Sequence, residues 1–281
     1  MLELGIFVSP YAQENVKRKT LHTLYASGIT HRIVTPTDTD LPYGIVAIGG
    51  DGTAHLTANT VFKRPEEHLI LTVPGGTANT LDNSLRHSNN TLSFRQLLDN
   101  NFSHLRQVPV GQVGNDIFIS MAAFGPLPFH YASIVNDRRE FFIPRRPKAY
   151  IAGAVGYVFY LQNQSSLDSP DVPTTDLFFL GSHVGKLSPT LDEKIFTREL
   201  ERIRIDAKTQ QGKFRAFLQF LHYCRYHEFS RDLSDVVIGE SFTVTHGNKV
   251  VLDGETVKLN EPSSIVVRKS DKPLLMAALK L

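Results

Sequence analysis

The sequence predicts an α/β domain built on a parallel sheet, followed by an antiparallel β domain. Three observations carry this. Gly44 to His55 reads Gly-Ile-Val-Ala-Ile-Gly-Gly-Asp-Gly-Thr-Ala-His, a β-prone run, a glycine turn and then a helix-compatible segment. His68 to Leu81 repeats that order through Pro74-Gly75-Gly76-Thr77, with Asn79 close to the turn. Two such units about 25 residues apart are the pattern of successive parallel strands, whose turns share a cleft beyond the carboxyl ends of the strands. From about Arg106 the texture changes to short β-prone runs, such as Gln107 to Val113 and Ile117 to Ala122 across Gly114-Asn115-Asp116, which read as antiparallel strands. The expected domains are residues 1–106 and 107–270, with a tail, 271–281, that returns toward the first.

Taken in order, Leu4 to Val8 reads as the first strand, closed by Ser9-Pro10. Glu14 to Ala26 carries Val16, Leu21, Leu24 and Tyr25 at helical spacing, and Gly28 supplies the stop. Arg32 to Val34 is a second strand ending at Thr35, whose hydroxyl either caps a turn or faces a ligand. The strand-turn-helix units follow. Near the C-terminus, Phe242 to Thr245, Lys249 to Leu252 and Ser264 to Arg268 read as the last strands of the second domain.

Bulk properties narrow the classes. The 281 residues suit one large or two medium domains. A hydrophobic content of 41% and a net charge of +2 exclude disorder and give no global nucleic-acid signature. The single cysteine, Cys224, excludes an intramolecular disulfide framework and suits a reducing compartment. No apolar run approaches the ~20 residues of a membrane span, and Leu2 to Val8 reads as a buried strand rather than a signal peptide. The expected location is cytoplasmic.

The chemistry concentrates at the turns. Gly49, Gly50 and Gly52 let the backbone take φ > 0 and let a bulky anion approach the main chain. Phosphate is the obvious candidate, held by amides of the turn and of the following helix's first turn. Asp51 then acts either as an N-cap-type residue or as a carboxylate kept near phosphates by a metal, a proton or a substrate hydroxyl. Asp253 and Glu255, in Val250-Val251-Leu252-Asp253-Gly254-Glu255, are spaced i, i+2 and in extended backbone share one face. Two carboxylates on one face can prepare a general base or hold a cation; the same Asp-Gly step also favours an ordinary hairpin turn.

Gly-Gly-Asp-Gly-Thr, then Pro-Gly-Gly-Thr-Ala-Asn, then a strand-borne Asp-Gly-Glu, in that order, resemble the diacylglycerol kinase catalytic-domain family of bacterial lipid kinases, diacylglycerol kinases, sphingosine kinases and ceramide kinases. The resemblance implies a Rossmann-like nucleotide-binding domain of the NAD kinase/diacylglycerol kinase type and a β-sandwich that walls the lipid side of the cleft. It implies ATP and Mg²⁺, with the nucleotide held by Ser9, Thr35, Gly49, Gly50, Asp51, Gly52, Thr53, Gly75, Gly76, Thr77 and Asn79. It gives the base role either to the first-motif aspartate, Asp51, or to the one in Asp-Gly-Glu, Asp253; Asp253 with Glu255 is the expected choice for deprotonating or orienting the acceptor hydroxyl, with Asp51 on the metal-phosphate side. The acceptor is expected to be a diacylglycerol-like or sphingoid lipid.

The chain also departs from the family pattern. Ser9-Pro10-Tyr11-Ala12-Gln13 stands where the family has Asn-Pro-x-Ser-Gly, His55-Leu56 where it commonly has Asn-Glu, and Thr80 where it often has aspartate. Bacterial relatives hold a structural magnesium through an Asp-Gly-x-Leu segment; Thr197-Arg198-Glu199-Leu200 aligns there, after Leu187-Ser188-Pro189-Thr190, and that metal is expected to be absent. These departures support an alternative, a member of the family that binds nucleotide or lipid without turnover. An NAD kinase shares Gly-Gly-Asp-Gly-Thr, but the only downstream Asn-Glu pair, Asn260-Glu261, comes too late in the chain.

Two further stretches concern lipid. Arg138, Arg139, Phe141, Phe142, Arg145, Arg146 and Lys148 interleave cations and aromatics, which suits peripheral contact with an anionic membrane and equally a solvated loop. Gly212 to Glu228 carries an apolar helical stripe that suits either core or an acyl chain. Gly181 to Lys186 is one residue short of a phosphate loop, and His222, Cys224 and His227 lack a fourth zinc ligand nearby. None of the eleven histidines has a marked partner in sequence.

Overall fold

The computed structural model describes residues 3–76, 79–125, 174–180, 199–206, 211, 214, 215, 218, 235–245, 249–253, 255–259 and 264–280. The first domain opens with strand β1 (Glu3–Val8), helix α1 (Glu14–Ala26) and strand β2 (Thr30–Ile33). Strand β3 (Gly44–Gly49), helix α2 (Asp51–Phe62), strand β4 (Leu69–Pro74) and helix α3 (Thr80–His87) form the two glycine-turn units. Strand β5 (Thr91–Ser93) and helix α4 (Phe94–Leu98) complete the run. Gly28, at φ 66°, ends the first helical excursion as the sequence predicts.

Every residue of β3 is buried, as expected of a strand covered on both faces. On one face Ile45, Ile70 and Phe7 pack under Ala54, Ala58 and Val61 of α2 and Leu81 and Leu85 of α3. On the other, Leu4, Ile6, Val46 and Ile48 pack with Leu24 of α1 and Leu97 of α4. Strand alternation thus sorts a near-continuous apolar run into two half-cores.

The chain then continues through β6 (Gln107–Val108), β7 (Gly111–Val113), β8 (Asp116–Phe118), β9 (Met121–Phe124), β10 (Thr174–Leu180), β11 (Leu200–Asp206), β12 (Asp235–Gly239), β13 (Ser241–Thr245), β14 (Lys249–Leu252), β15 (Glu255–Lys258), β16 (Ser264–Lys269) and β17 (Leu274–Lys280). A six-stranded sheet, β12-β11-β10-β9-β14-β15, faces a four-stranded one, β13-β16-β7-β8. Between them lie Phe118, Phe124, Phe178, Leu200, Val244, Val250 and Val267. All described pairings within these two sheets are antiparallel.

Three expectations are refined. The run Gln107 to Val113 is two strands: β6 pairs with β17 in the first sheet, and β7 pairs with β16 in the second domain. Ile117 to Ala122 is also divided, because β8 and β9 enter different sheets and the chain steps between them at Ile119 and Ser120. The returning tail is an inner strand, since β17 runs parallel to β4 on one side and to β5 on the other. The aromatic-basic run at 138–148, the helical stripe at 212–228 apart from three of its residues, and the segments 181–198 and 222–227 lie outside the described residues.

Candidate active site

The turns after β1, β3 and β4 meet at one end of the parallel sheet. Ser9 N donates to Ile48 O at 3.0 Å, Gly75 N to Gly49 O at 2.8 Å and Gln13 N to Gly75 O at 3.2 Å. The two glycine turns touch backbone to backbone. A Cβ added at Gly76 would lie 2.3 Å from the Cα of Gly50, and one at Gly49 would lie 2.2 Å from the Thr53 hydroxyl and 3.0 Å from the Ser9 Cβ.

Positive φ, one of the two expected purposes of these glycines, does not apply: none of Gly49, Gly50, Gly52, Gly75 and Gly76 has it. At Gly49 and Gly76 a Cβ would collide with its neighbours. Gly50, at φ −99° and ψ −166°, opens α2 with no side chain to cap it. The first amides and the positive end of the helix are thus directed at the cleft, an arrangement that favours anions.

Asn79 holds the second turn in shape. It sits at φ 52°, tolerable for Asn in the left-handed region, and its side chain is tied to Gly76 twice, accepting from Gly76 N at 3.0 Å and donating to Gly76 O at 3.1 Å. Asp51 reaches across rather than capping its own helix, and its Oδ1 accepts from Leu81 N, in the first turn of α3, at 2.9 Å. One carboxylate thereby fixes the two helix starts relative to each other. Thr77 and Gly254 are outside the described residues.

Thr35 follows β2, and its hydroxyl donates to Asp38 Oδ1 at 2.9 Å while its amide donates to Asp38 Oδ2 at 2.8 Å. The backbone and hydroxyl bonds from Thr35 hold the Asp38 carboxyl below the usual range. Of the two readings of Thr35, this geometry is that of a turn cap.

The third motif divides its carboxylates. Asp253 sits at φ 48° in the turn between β14 and β15, outside extended backbone, so the shared-face argument from i, i+2 spacing does not apply. Its side chain is only 5% exposed. Oδ1 accepts from Ser120 N at 2.8 Å and Met121 N at 2.9 Å, and Oδ2 from Ile119 N at 2.7 Å and His55 Nδ1 at 2.8 Å. Three consecutive amides are available because the chain leaves one sheet for the other there. Four donors fill the ~4 acceptor positions of a carboxylate. Burial pushes the Asp253 carboxyl up, but the hydrogen bond and attraction of His55 and the bonds from the Ile119 and Met121 amides outweigh it, leaving the group below its ordinary range.

Glu255, two residues on, lies over the start of α2. A Cβ at Gly52 would be 2.6 Å from its Oε1, so a larger residue there would displace the carboxylate. Glu255 and the first glycine turn, more than 200 residues apart in sequence, thereby form one surface. One helical turn beyond Gly52 along α2, Leu56 is 46% exposed.

His55 escapes sequence reasoning because its partner is 198 residues away. The only hint was its i, i+4 spacing with Asn59 on the buried side of α2. Among the described residues no group of three His, Cys, Asp or Glu is placed to hold a metal ion by itself. No described helix is long and apolar enough to cross a membrane.

Comparison with known proteins bears on the family and the fold. Residues 8–113 match the model of the family described as "Diacylglycerol kinase catalytic domain". The match contains both glycine turns and stops before Asp253 and Glu255. A diacylglycerol kinase of Staphylococcus aureus (strain JH9) is 26% identical over 123 residues, which are 44% of this chain and 35% of that protein. The similar region thus spans about a third of the curated relative. A crystal structure of a diacylglycerol kinase from Bacillus anthracis superposes with a TM-score of 0.55 at 14% identity, covering 95% of this chain and 94% of that one. The architecture of both domains is therefore that of the bacterial diacylglycerol kinases.

Proposed function

We propose that this chain, whose residues 8–113 belong to the diacylglycerol kinase catalytic-domain family, is an ATP-dependent lipid kinase that transfers the γ-phosphoryl group to a hydroxyl of a diacylglycerol-like or sphingoid lipid. The observation that carries the reading is the position of Glu255, against Gly52 at the start of α2. A carboxylate at that point stands between a phosphate-binding turn and the second domain, where an acceptor hydroxyl would enter.

In this reading Ser9 and the turns at Gly49 to Thr53 and Gly75 to Thr77 hold the phosphates through backbone amides. Catalysis of phosphoryl transfer is largely positioning and electrostatic stabilisation. Glu255 accepts or orients the hydroxyl proton within hydrogen-bond reach. Asp253 keeps the hairpin in place, since its oxygens are already occupied. Asp51 sets the spacing of the α2 and α3 starts from the phosphate side. The oxygens of Asp51 and Glu255 suit Mg²⁺, which is commonly bound by one or two carboxylates plus substrate phosphates rather than by an all-protein cage. When bound, Mg²⁺ neutralises charge on the transferring phosphoryl group. The run at 138–148 is the proposed contact with anionic membrane, and the cytoplasm the proposed location.

Leu56 favours a second reading, a nucleotide- or lipid-binding member without turnover, because an exposed leucine stands where the family commonly has a carboxylate. The test is ATP-dependent ³²P transfer to diacylglycerol, monoacylglycerol, sphingosine, ceramide and phosphatidylglycerol in mixed micelles, with Asp51→Ala and Glu255→Gln alongside. A labelled lipid that disappears in both variants is expected. Saturable ATP binding with no labelled lipid would overturn the kinase reading in favour of the second.

A further inference from the structure

We infer that His55 is a positioning residue, the member of a buried strut along α2 that sets where Glu255 stands relative to the phosphate turn. The inference rests on the proposed kinase reading for its catalytic consequence, but its structural part stands alone. His55, Asn59 and Lys63 are spaced i, i+4 and i+8 and so form one row along the helix, ~12 Å of axis. Each member is tied to the second domain. Lys63 Nζ donates to Asp116 Oδ1 at 2.7 Å. Asn59 pairs with the backbone of Ile117 in both directions, donating to Ile117 O at 3.2 Å and accepting from Ile117 N at 2.9 Å. His55 binds Asp253.

The hydrogen bonds determine the state of the imidazole. The two-way bond to Ile117 fixes which end of the Asn59 amide is nitrogen, and that nitrogen also faces His55 Nε2 at 2.9 Å. Nε2 must accept, so Nδ1 carries the hydrogen and donates to Asp253. Asn59 Nδ2 then spends its two hydrogens on His55 and Ile117. The relay Ile117–Asn59–His55–Asp253 is complete at each of these bonds, as a buried polar network must be to stabilise rather than weaken.

Of the row, His55 alone touches the hairpin that bears Glu255. Its ring is 6% exposed, so it does not meet substrate. Its effect passes through Asp253: the turn at Asp253 fixes the start of β15, and β15 begins with Glu255. Because α2 also begins at the glycine turn, one helix carries the phosphate site at its first residues and the anchor of the acceptor-side carboxylate one turn later. The gap between them is then set by a single rigid element rather than by domain closure.

The test combines His55→Ala and His55→Asn with two readouts. Amide hydrogen exchange in His55→Ala is expected to speed roughly tenfold in peptides covering Ile119 to Met121 and Glu255 to Lys258 while β1 and β3 stay protected. ATP affinity stays within about twofold while kcat for the lipid falls ~100-fold, the scale of a misplaced reacting group. His55→Asn, whose amide can still donate to Asp253, recovers more of both than His55→Ala. In wild type, ¹⁵N shifts of His55 show hydrogen on Nδ1 and none on Nε2. Unchanged exchange at both peptides, faster exchange across the whole chain with ATP affinity falling in step, or a hydrogen on Nε2 would each overturn the inference. Should His55→Ala not fold, Asn59→Ala, which removes the other anchor of the ring, carries the same readouts. A wild-type protein that phosphorylates no lipid would end the kinase reading, and the exchange and ¹⁵N results would still decide the strut.

Discussion

The proposed phosphate side and the proposed acceptor side of the site are built on different principles. The phosphate side is made of backbone from neighbouring strands, with β1, β3 and β4 bringing three turns together through the regular register of a parallel sheet. The acceptor side is one hairpin, held in place by side-chain bonds that cross between the domains. The first depends on close backbone approach at Gly49 and Gly76; the second depends on the partners of the Asp253 carboxylate. Asp51 and Asn79 belong to the first kind even though they are polar, because both act on backbone amides.

The comparison breaks most completely at the point where backbone meets backbone. Gly76→Val would place a branched side chain where even a Cβ comes within 2.3 Å of Gly50, and overpacking against main chain cannot be relieved by a rotamer change. Loss of more than ~2 kcal/mol of stability, together with loss of measurable ATP binding by calorimetry, is expected. Retained ATP affinity would separate the glycine contact from the phosphate site.

The next effect belongs to Asp253. Asp253→Ala leaves three amides and His55 Nδ1 without their acceptor, and removal of one partner from a buried charged network costs about 3–5 kcal/mol, read as a lower midpoint in urea. The pH dependence has a definite sign. The folded-state group lies below its ordinary 3.8, so its contribution is fully present above that value and is lost as pH falls through the folded-state value. The stability gap between wild type and Asp253→Asn should therefore be constant near neutrality and narrow only under strong acid. A gap that narrowed around neutral pH would mean that another group titrates.

Glu255→Gln sharpens the contrast by separating stability from turnover. The thermal midpoint should move little, as for ordinary surface changes within about 0.5 kcal/mol, while lipid phosphorylation falls by about 10²-fold or more. Equal loss in both measurements would assign Glu255 to the scaffold. The smallest expected change is at Thr35. Thr35→Val removes a hydroxyl already bonded to Asp38, so KM for ATP should change less than about twofold with little change in stability; a tenfold rise in KM would restore Thr35 to the nucleotide site.

What the sequence made legible follows the same division. The two strand-turn-helix units, the first helix from Glu14 to Ala26 and the switch to antiparallel strands were all readable, because hydrophobic period and glycine position are local signals. Gly114 between β7 and β8 was read as a hairpin turn for the same reason, and it sits at φ 59°. The role of Asp253 was not readable from its spacing to Glu255. Its left-handed turn and the three amides at Ile119 to Met121 that donate to it come together only when β8 and β9 part into different sheets. His55 was passed over because nothing nearby in sequence marks its partner. The reason for Gly49 and Gly76 was also hidden: it lies in close approach within the packed turns, of Gly49 to Thr53 and Ser9 and of Gly76 to Gly50.

The inner place of β17 bears on how the chain is made. The sheet of the first domain lacks the strand between β4 and β5 until Leu274 to Lys280 has been synthesised, some 180 residues after Ser93. At ~5–20 residues per second this is a delay on the order of 10–40 s, during which β4 has a raw edge and an apolar face lacks its filling of Met276 to Leu279. The complete sheet of the first domain therefore cannot form before β17 is made. During translation the nascent protein carries an unpaired strand edge of the kind that chaperones bind and aggregates grow from.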